Sequence, residues 1–424
     1  MNFRGGRRMR HRGGARASAA RRVLDLLRTE GTISRVELAE RTGLTAATIT
    51  NTVRPLIADG LVREIGRDPQ PGRGQPRRLL QLVPDAWHAI GVQVDRTTTT
   101  IEVLDFAGGR VAAASLPGTG GDGPEETVRA LAGHVDALLD RAGVPRARVL
   151  GAGLVTHGPQ DLERGVLLTA QPGPDWLEYP LTGALAARLG LPVLLENDAT
   201  AAAVGELWAG EPRTDTFGLV YMSAGIGGGV IVDGEVYRGR ASNAVEIGHV
   251  ALAGGSTPCV CGGAGCAQAE AAPQAVVARA LADPGLAERF ALSGARDGAL
   301  ADFDRIARAW RDGDREAAAM LERSARWIGQ AAVTLVNLFD LDTVVLAGPA
   351  FTVAGTLYRD HVAAELERLA LGRALSRPKV LVSSDAASAA ALGGALHVLR
   401  TMHIGAPPRG GAPRTSRPLI EGAL

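Results

Sequence analysis

All three cysteines of this 424-residue chain fall within eight consecutive positions: Cys259, Cys261 and Cys266 in the run Cys-Val-Cys-Gly-Gly-Ala-Gly-Cys, which begins ten residues after His249. Zinc takes four soft or borderline ligands in a tetrahedron, and a Cys-x-Cys pair with a third thiolate close behind lets a short loop wrap one ion. Gly262, Gly263 and Gly265 let that loop turn tightly. The alternative is three unrelated buried thiols beside a surface histidine, and the confinement of so scarce a residue to one loop argues against it. His249, Cys259, Cys261 and Cys266 are therefore the expected ligands of a structural Zn2+. No thiol is left for a disulfide framework, which fits a reducing, cytoplasmic setting.

With 46% hydrophobic and 21% charged residues, the chain can bury large cores and is expected to form two or three domains. The Arg-rich N-terminus lacks the apolar stretch of a signal peptide, and no apolar run is long enough to span a bilayer, so no membrane contact is expected. The formal charge of +1 hides an asymmetry. Residues 1 to 82 hold 17 arginines against seven Asp and Glu, a net of +10, so the remainder carries −9. A basic module on an acidic body is the electrostatic footprint of a nucleic-acid binder, because each Arg set on a phosphate releases condensed counterions.

That basic module has a recognisable pattern. Residues 1 to 16, with six arginines among glycines, read as a disordered tail. Val23, Leu24, Leu26 and Leu27 then form a helical stripe ending near Gly31. Ser34-Arg35-Val36-Glu37 is a capping box for a second helix, Gly43 supplies a turn, and Thr45 caps a third helix from Ala46. Leu61 to Ile65 and Arg78 to Leu82 read as strands flanking a loop that contains Arg73-Gly74-Gln75-Pro76-Arg77. The whole predicts a winged helix-turn-helix over 17–83. In it Thr45, Thr48, Asn51 and Arg54 face a major groove while Arg73 and Arg77 enter a minor groove. An ordinary solvated helix face is the other reading of the third helix. Pro55 is expected to kink or shorten that helix.

From Trp87 onward, apolar strands alternate with glycines and helices, at Ala89 to Val94, Val149 to Val155, Val193 to Leu195, Phe217 to Tyr221 and Thr343 to Ala347. This predicts α/β architecture. Glu196-Asn197-Asp198-Ala199, the glycine-rich Ser223 to Gly229, Glu246-Ile247-Gly248-His249 and the cysteine loop, preceded by a winged helix, together resemble the ROK family over residues 20 to 400. The resemblance implies a two-lobed, actin-like (ribonuclease H-like) ATPase-type domain over 84–400, with a flexible tail at 401–424. It places Gly158, Asn197, Asp198, Glu246, His249 and Gln268 around a sugar bound between the lobes.

The family joins repressors and sugar kinases, and the residues bear on which this chain resembles. Asp198 occupies the position of the kinase base, although a carboxylate there also serves a pure sensor as an acceptor for sugar hydroxyls. The first phosphate loop of such kinases resembles Asp-x-Gly-Gly-Thr; here Gln93, Asp95 and Arg96 replace the carboxylate and both glycines. Gly225 to Gly229 would suit a phosphate or simply a tight strand connection. Ala347-Gly348-Pro349-Ala350 departs from the Gly-Gly of adenosine loops, Gln268 stands where relatives carry Glu, and His157 where many carry Pro. The expectation is a sugar-responsive transcriptional regulator, a repressor rather than an enzyme, acting as a homodimer or homotetramer on double-stranded operator DNA. The alternative is an active ATP-dependent sugar kinase carrying a DNA-binding arm.

Overall fold

The computed structural model describes residues 12–402, apart from 68–77, 211–213, 296–297 and 376. The N-terminal unit runs α1 (Arg12–Glu30), β1 (Thr32–Ser34), α2 (Arg35–Thr42), α3 (Ala46–Ala58), β2 (Val62–Arg67) and β3 (Arg78–Leu82). β3 lies between β1 and β2 and is antiparallel to both, which makes this a winged helix. The capping box forms as expected: Ser34 Oγ accepts the Glu37 amide at 3.3 Å, and the Glu37 carboxylate accepts the Ser34 amide at 2.9 Å.

Two local expectations change. α1 begins at Arg12, so it takes in residues 12 to 16 of the expected tail despite Gly13 and Gly14, as an upstream extension of a helix anchored by buried Val23, Leu24 and Leu27. Residues 1–11 and 403–424 lie outside the described residues. Pro55 does not shorten α3, which continues to Ala58. The proline sits one turn from the end, where the carbonyl it strands belongs to exposed Asn51, and Asp59 N–H closes the last turn on the Pro55 carbonyl at 2.8 Å.

The body begins with β4 (His88–Val94), β5 (Thr98–Asp105), β6 (Arg110–Pro117), α4 (Pro124–Ala142) and β7 (Val149–Thr156). A small ribbon, β8 (Gln160–Asp161) with β9 (Val166–Leu167), precedes α5 (Leu181–Leu189), β10 (Val193–Asn197) and α6 (Asp198–Ala209). The second lobe holds β11 (Phe217–Met222), β12 (Ile226–Val232), β13 (Glu235–Val236), α7 (Ala267–Ala271), α8 (Pro273–Leu281), α9 (Pro284–Arg289) and α10 (Ala299–Arg311). Then come α11 (Arg315–Phe339), β14 (Thr343–Ala347), α12 (Phe351–Leu369), β15 (Lys379–Val382) and α13 (Ala389–Thr401).

The two five-stranded sheets, β6-β5-β4-β7-β10 and β13-β12-β11-β14-β15, have one strand order in common. In each, the first three strands pair antiparallel and the last two join parallel. This duplication is the actin-like architecture. The central strands β4, β7, β11 and β14 are buried along their whole length and are mostly apolar, as strands covered on both faces must be, with His88 and Gln93 the buried polar exceptions in β4.

Between the sheets lie α13, on β4 and β7, and α6, on β12. Their contacts are backbone to backbone. A Cβ on Gly91 of β4 would fall 1.8 Å from the Ala391 carbonyl oxygen of α13, and one on Gly153 of β7 would fall 2.2 Å from that of Gly394. Across α13, a Cβ on Gly393 would lie 1.7 Å from the Ala201 carbonyl oxygen of α6. Gly91→Ala should therefore destabilise the fold by about 3 kcal/mol, the upper range for overpacking. Gly133→Ala, on the exposed face of α4 with open space around it, should stabilise by up to about 1 kcal/mol. Urea unfolding followed by circular dichroism compares the two, and equal midpoints would refute this packing account.

Candidate functional site

The cleft between the sheets is a cavity of about 930 Å³ whose lining includes all six expected sugar residues: Gly158, Asn197, Asp198, Glu246, His249 and Gln268. The strand-to-helix turn from β10 into α6 delivers two of them. Asn197 caps α6 by accepting the Thr200 amide at 3.1 Å, and Asp198 is the first helical residue. Gly158 follows β7 and leaves room for its neighbours, since a Cβ there would lie 3.3 Å from Asn197 Nδ2 and 3.6 Å from Glu246 Oε1. Gln268 Oε1 accepts the Ile226 amide at 3.3 Å, which fixes its side chain at the cleft edge.

Two partners escape sequence reasoning. The Asn243 side chain accepts the Gln160 amide and donates to the Gln160 carbonyl, both at 2.8 Å, tying the loop after β7 to the segment that carries Glu246. Gln93 donates to the Tyr221 hydroxyl at 2.6 Å, joining the two lobes. Nothing in the sequence marks Asn243. A tyrosine inside an otherwise apolar strand was the available signal for the second pair, because a buried phenol needs a partner.

The electrostatics favour neutral carboxyls. Burial pushes Asp198 up to about 7, and the charges of Asp95 and Glu246 act in the same sense. Burial likewise raises Glu246 and lowers His157. Because the Asp198 carboxyl is raised on folding, its contribution to stability is present at low pH and fades as pH climbs from about 4 through about 7.

On one rim of the cleft, the His249 and cysteine side chains converge with all ligand atoms within 4.8 Å of one another. Cys259 Sγ stands 3.5 Å from His249 Nδ1, and Cys261 Sγ stands 3.6 Å from Cys266 Sγ. Tetrahedral bonds of zinc–thiolate length put ligand atoms about 3.8 Å apart, so the four fit a metal ion. Nδ1 faces the thiolates and leaves Nε2 for the cleft. Glu270 is fully used elsewhere: buried, it accepts the Ser256 and Thr257 amides at 2.9 and 2.8 Å and holds the start of the cysteine loop.

The segments that match the family's nucleotide loops bond to their own surroundings. Asp95 accepts its neighbour's amide and, at 3.3 Å, the Ser223 hydroxyl, so the first and second loops bond to each other across the cleft. Arg96 donates to the Pro172 carbonyl at 3.0 Å. The glycines after Gly225 mostly lie in β12, where Gly229 admits the Ala199 carbonyl oxygen of α6 at 2.7 Å from a would-be Cβ. Gly348, with φ of 109°, packs on the Met222 backbone and is absent from the cleft lining.

On the DNA-binding unit, Ile49, Val53 and Leu56 of α3 face inward. Thr48, Asn51 and Arg54 follow at intervals of three along one outer face, with Asn51 and Arg54 exposed. The Thr45 hydroxyl accepts the Thr48 amide at 3.2 Å, so it caps the helix as expected. Arg73 and Arg77 lie outside the described residues. Glu64 at the base of the wing pairs with Arg78 at 2.6 Å and with Arg35 of α2 at 2.7 Å.

The cleft chemistry is testable without ligand. Carbon-13 titration should find an aspartate carboxyl with a midpoint near 7, absent in Asp198→Asn and moved down in Asp95→Asn because a like charge has gone. A midpoint for Asp198 near 4 would contradict the burial described.

Comparison with known proteins agrees with this geometry. Residues 89–401 match the ROK family, and residues 18–63 match a winged helix-turn-helix DNA-binding family. The xylose repressor of Caldicellulosiruptor bescii is 29% identical over 77% of this chain and 82% of its own. A ROK family transcriptional regulator, a homologue of the E. coli MLC protein, superimposes with a TM-score of 0.70 over 91% of this chain and 97% of its own, at 23% identity. A ROK glucokinase from Streptomyces griseus, solved with glucose and AMPPNP, gives 0.62 over 73% and 98%, at 28% identity. With its family match spanning the body and both lobes carrying the shared strand order, the chain belongs to the ROK family.

Proposed function

We propose that this chain is a sugar-responsive transcriptional regulator, a repressor, with its DNA-binding unit at 17–83 and its sensing body at 84–400. The observation that carries the reading is the bond between Asp95 and Ser223. It joins the two loops that would have to part around a nucleotide's phosphates, and it leaves a carboxylate there. Meanwhile Gly158, Asn197, Asp198, Glu246, His249 and Gln268 still gather around a space suited to a polyhydroxylated ring. In this reading Asp198 is an acceptor rather than a base. Two copies in a homodimer or homotetramer would present two α3 helices to a pseudo-palindromic operator, with Thr48, Asn51 and Arg54 at base edges and Arg73 and Arg77 in the adjacent minor groove. The metal is Zn2+, held structurally, since four protein ligands leave no open position.

One observation favours an active kinase instead: Asp198, raised to about 7, is suited to take a proton from a sugar hydroxyl. Assay with ATP and a panel of hexoses, pentoses and amino sugars decides between the two. No turnover is expected; a rate near the typical enzyme median of about 10 per second would replace the sensor with the kinase. Footprinting on DNA upstream of the chain's own coding sequence should show protection that Asn51→Ala weakens by about 1–3 kcal/mol per lost base pairing. Arg73→Ala should lower its salt dependence. Unchanged footprints in both variants would remove the assigned contacts. Elemental analysis should find about one zinc per chain, lost in Cys261→Ser; full occupancy in that variant would refute the ligand set.

A further inference from the structure

One helix connects the cleft with the DNA-binding unit. α6 starts at the cleft with the Asn197 cap and Asp198, and its 12 residues, at the usual rise, extend about 18 Å. In its last turn stands Trp208. The Arg400 guanidinium of α13 lies 4.8 Å from the Trp208 ring centroid, and that of Arg28, from α1 of the DNA-binding unit, lies 5.8 Å from it. Both arginine side chains are buried, 6% and 3% exposed, and Asp25 of α1 pairs with both at 3.5 and 3.4 Å. Arg28 also covers the Phe106 ring at 5.6 Å and donates twice to the Phe106 carbonyl at 3.3 Å. Three segments from three parts of the fold thus meet on one indole, whose N–H finds no acceptor among the described residues. The seat is made of ring faces and charge.

α6 packs directly on α13. Gly393 abuts the Ala201 carbonyl, and a Cβ on Gly205 would lie 2.6 Å from the Ala389 carbonyl oxygen, a backbone-to-backbone contact of the kind that transmits a displacement rather than absorbing it. The far ends of that pair, Trp208 and Arg400, reach the same junction with α1.

We propose that α6, packed on α13, is the rod that carries the state of the cleft to the DNA-binding unit, with Trp208 seated between Arg28 and Arg400 as its terminal contact. Trp208 is on this account a positioning residue. The identity of the input rests on the sugar-sensing reading; the mechanical link does not. Coupling between sites is reciprocal, so disturbing either end should be felt at the other.

Hydrogen–deuterium exchange on the full chain, without DNA or sugar, tests this. Trp208→Leu should raise exchange at least threefold not only in the last turn of α6 and in α1 but also in the first turn, at Ala199 to Ala202. Amides of β14 and α11 in the second lobe should stay unchanged, which separates the effect from general destabilisation. Trp208→Phe, keeping a ring for the two arginines, should restore most of the protection. Asn197→Ala, which removes the cap at the cleft, should raise exchange in α1 when Trp208 is present and add nothing in the Trp208→Leu background. Changes confined to the end that was mutated, in either direction, would overturn the proposal. Because neither ligand enters the measurement, failure of the regulator reading leaves this result standing on its own.

Discussion

The close contact of α6 with α13, made through glycines between the two sheets, is the constraint on which the rest of this structure depends. Gly91 and Gly153 bring α13 onto the first sheet, Gly393 and Gly205 bring it onto α6, and Gly229 brings α6 onto the second sheet. Any side chain at these points would push the lobes apart. The cleft is positioned by the same stack, because α6 opens with Asn197 and Asp198 and β12 supplies Gly227 opposite them. A protein interior packed to this density transmits a displacement rather than absorbing it.

Much of this was legible in the sequence because it rests on local patterns. A capping box, a cysteine loop and an apolar strand each announce themselves within a few residues, and all three appear in the structure where their spacing predicts. What stayed hidden depends on contacts between distant segments. β1 is three residues long and exists only because β3 pairs with it. The roles of Asn243, Tyr221 and Trp208 depend on partners 83, 128 and 180 positions away, which no periodicity records. Glu270 is a further case: the sequence gives it no role, and in the structure it holds the Ser256 and Thr257 amides at the start of the cysteine loop.

The fate of the nucleotide loops follows from the same packing. Polar groups at the segments that match the family's phosphate loops meet each other, Ser223 donating to Asp95 and Gln93 to Tyr221, so these buried donors are satisfied within the protein. Such bonds span the lobes, so they also set how far the cleft stands open.

The DNA-binding unit does not hang from a tether. A single apolar cluster runs from Val23, Leu27, Leu61 and Leu82 through Phe106 and Leu150 to Leu396, Leu399 and Met402, so winged helix and first lobe are halves of one core. Modularity suggested by the boundary near residue 83 is therefore only apparent. A body cut free at that point would lay bare Phe106, Leu396 and their neighbours as a contiguous oily face, prone to self-association. An exchange of DNA-binding units between members of this family would have to carry a matching complement of these surfaces with it.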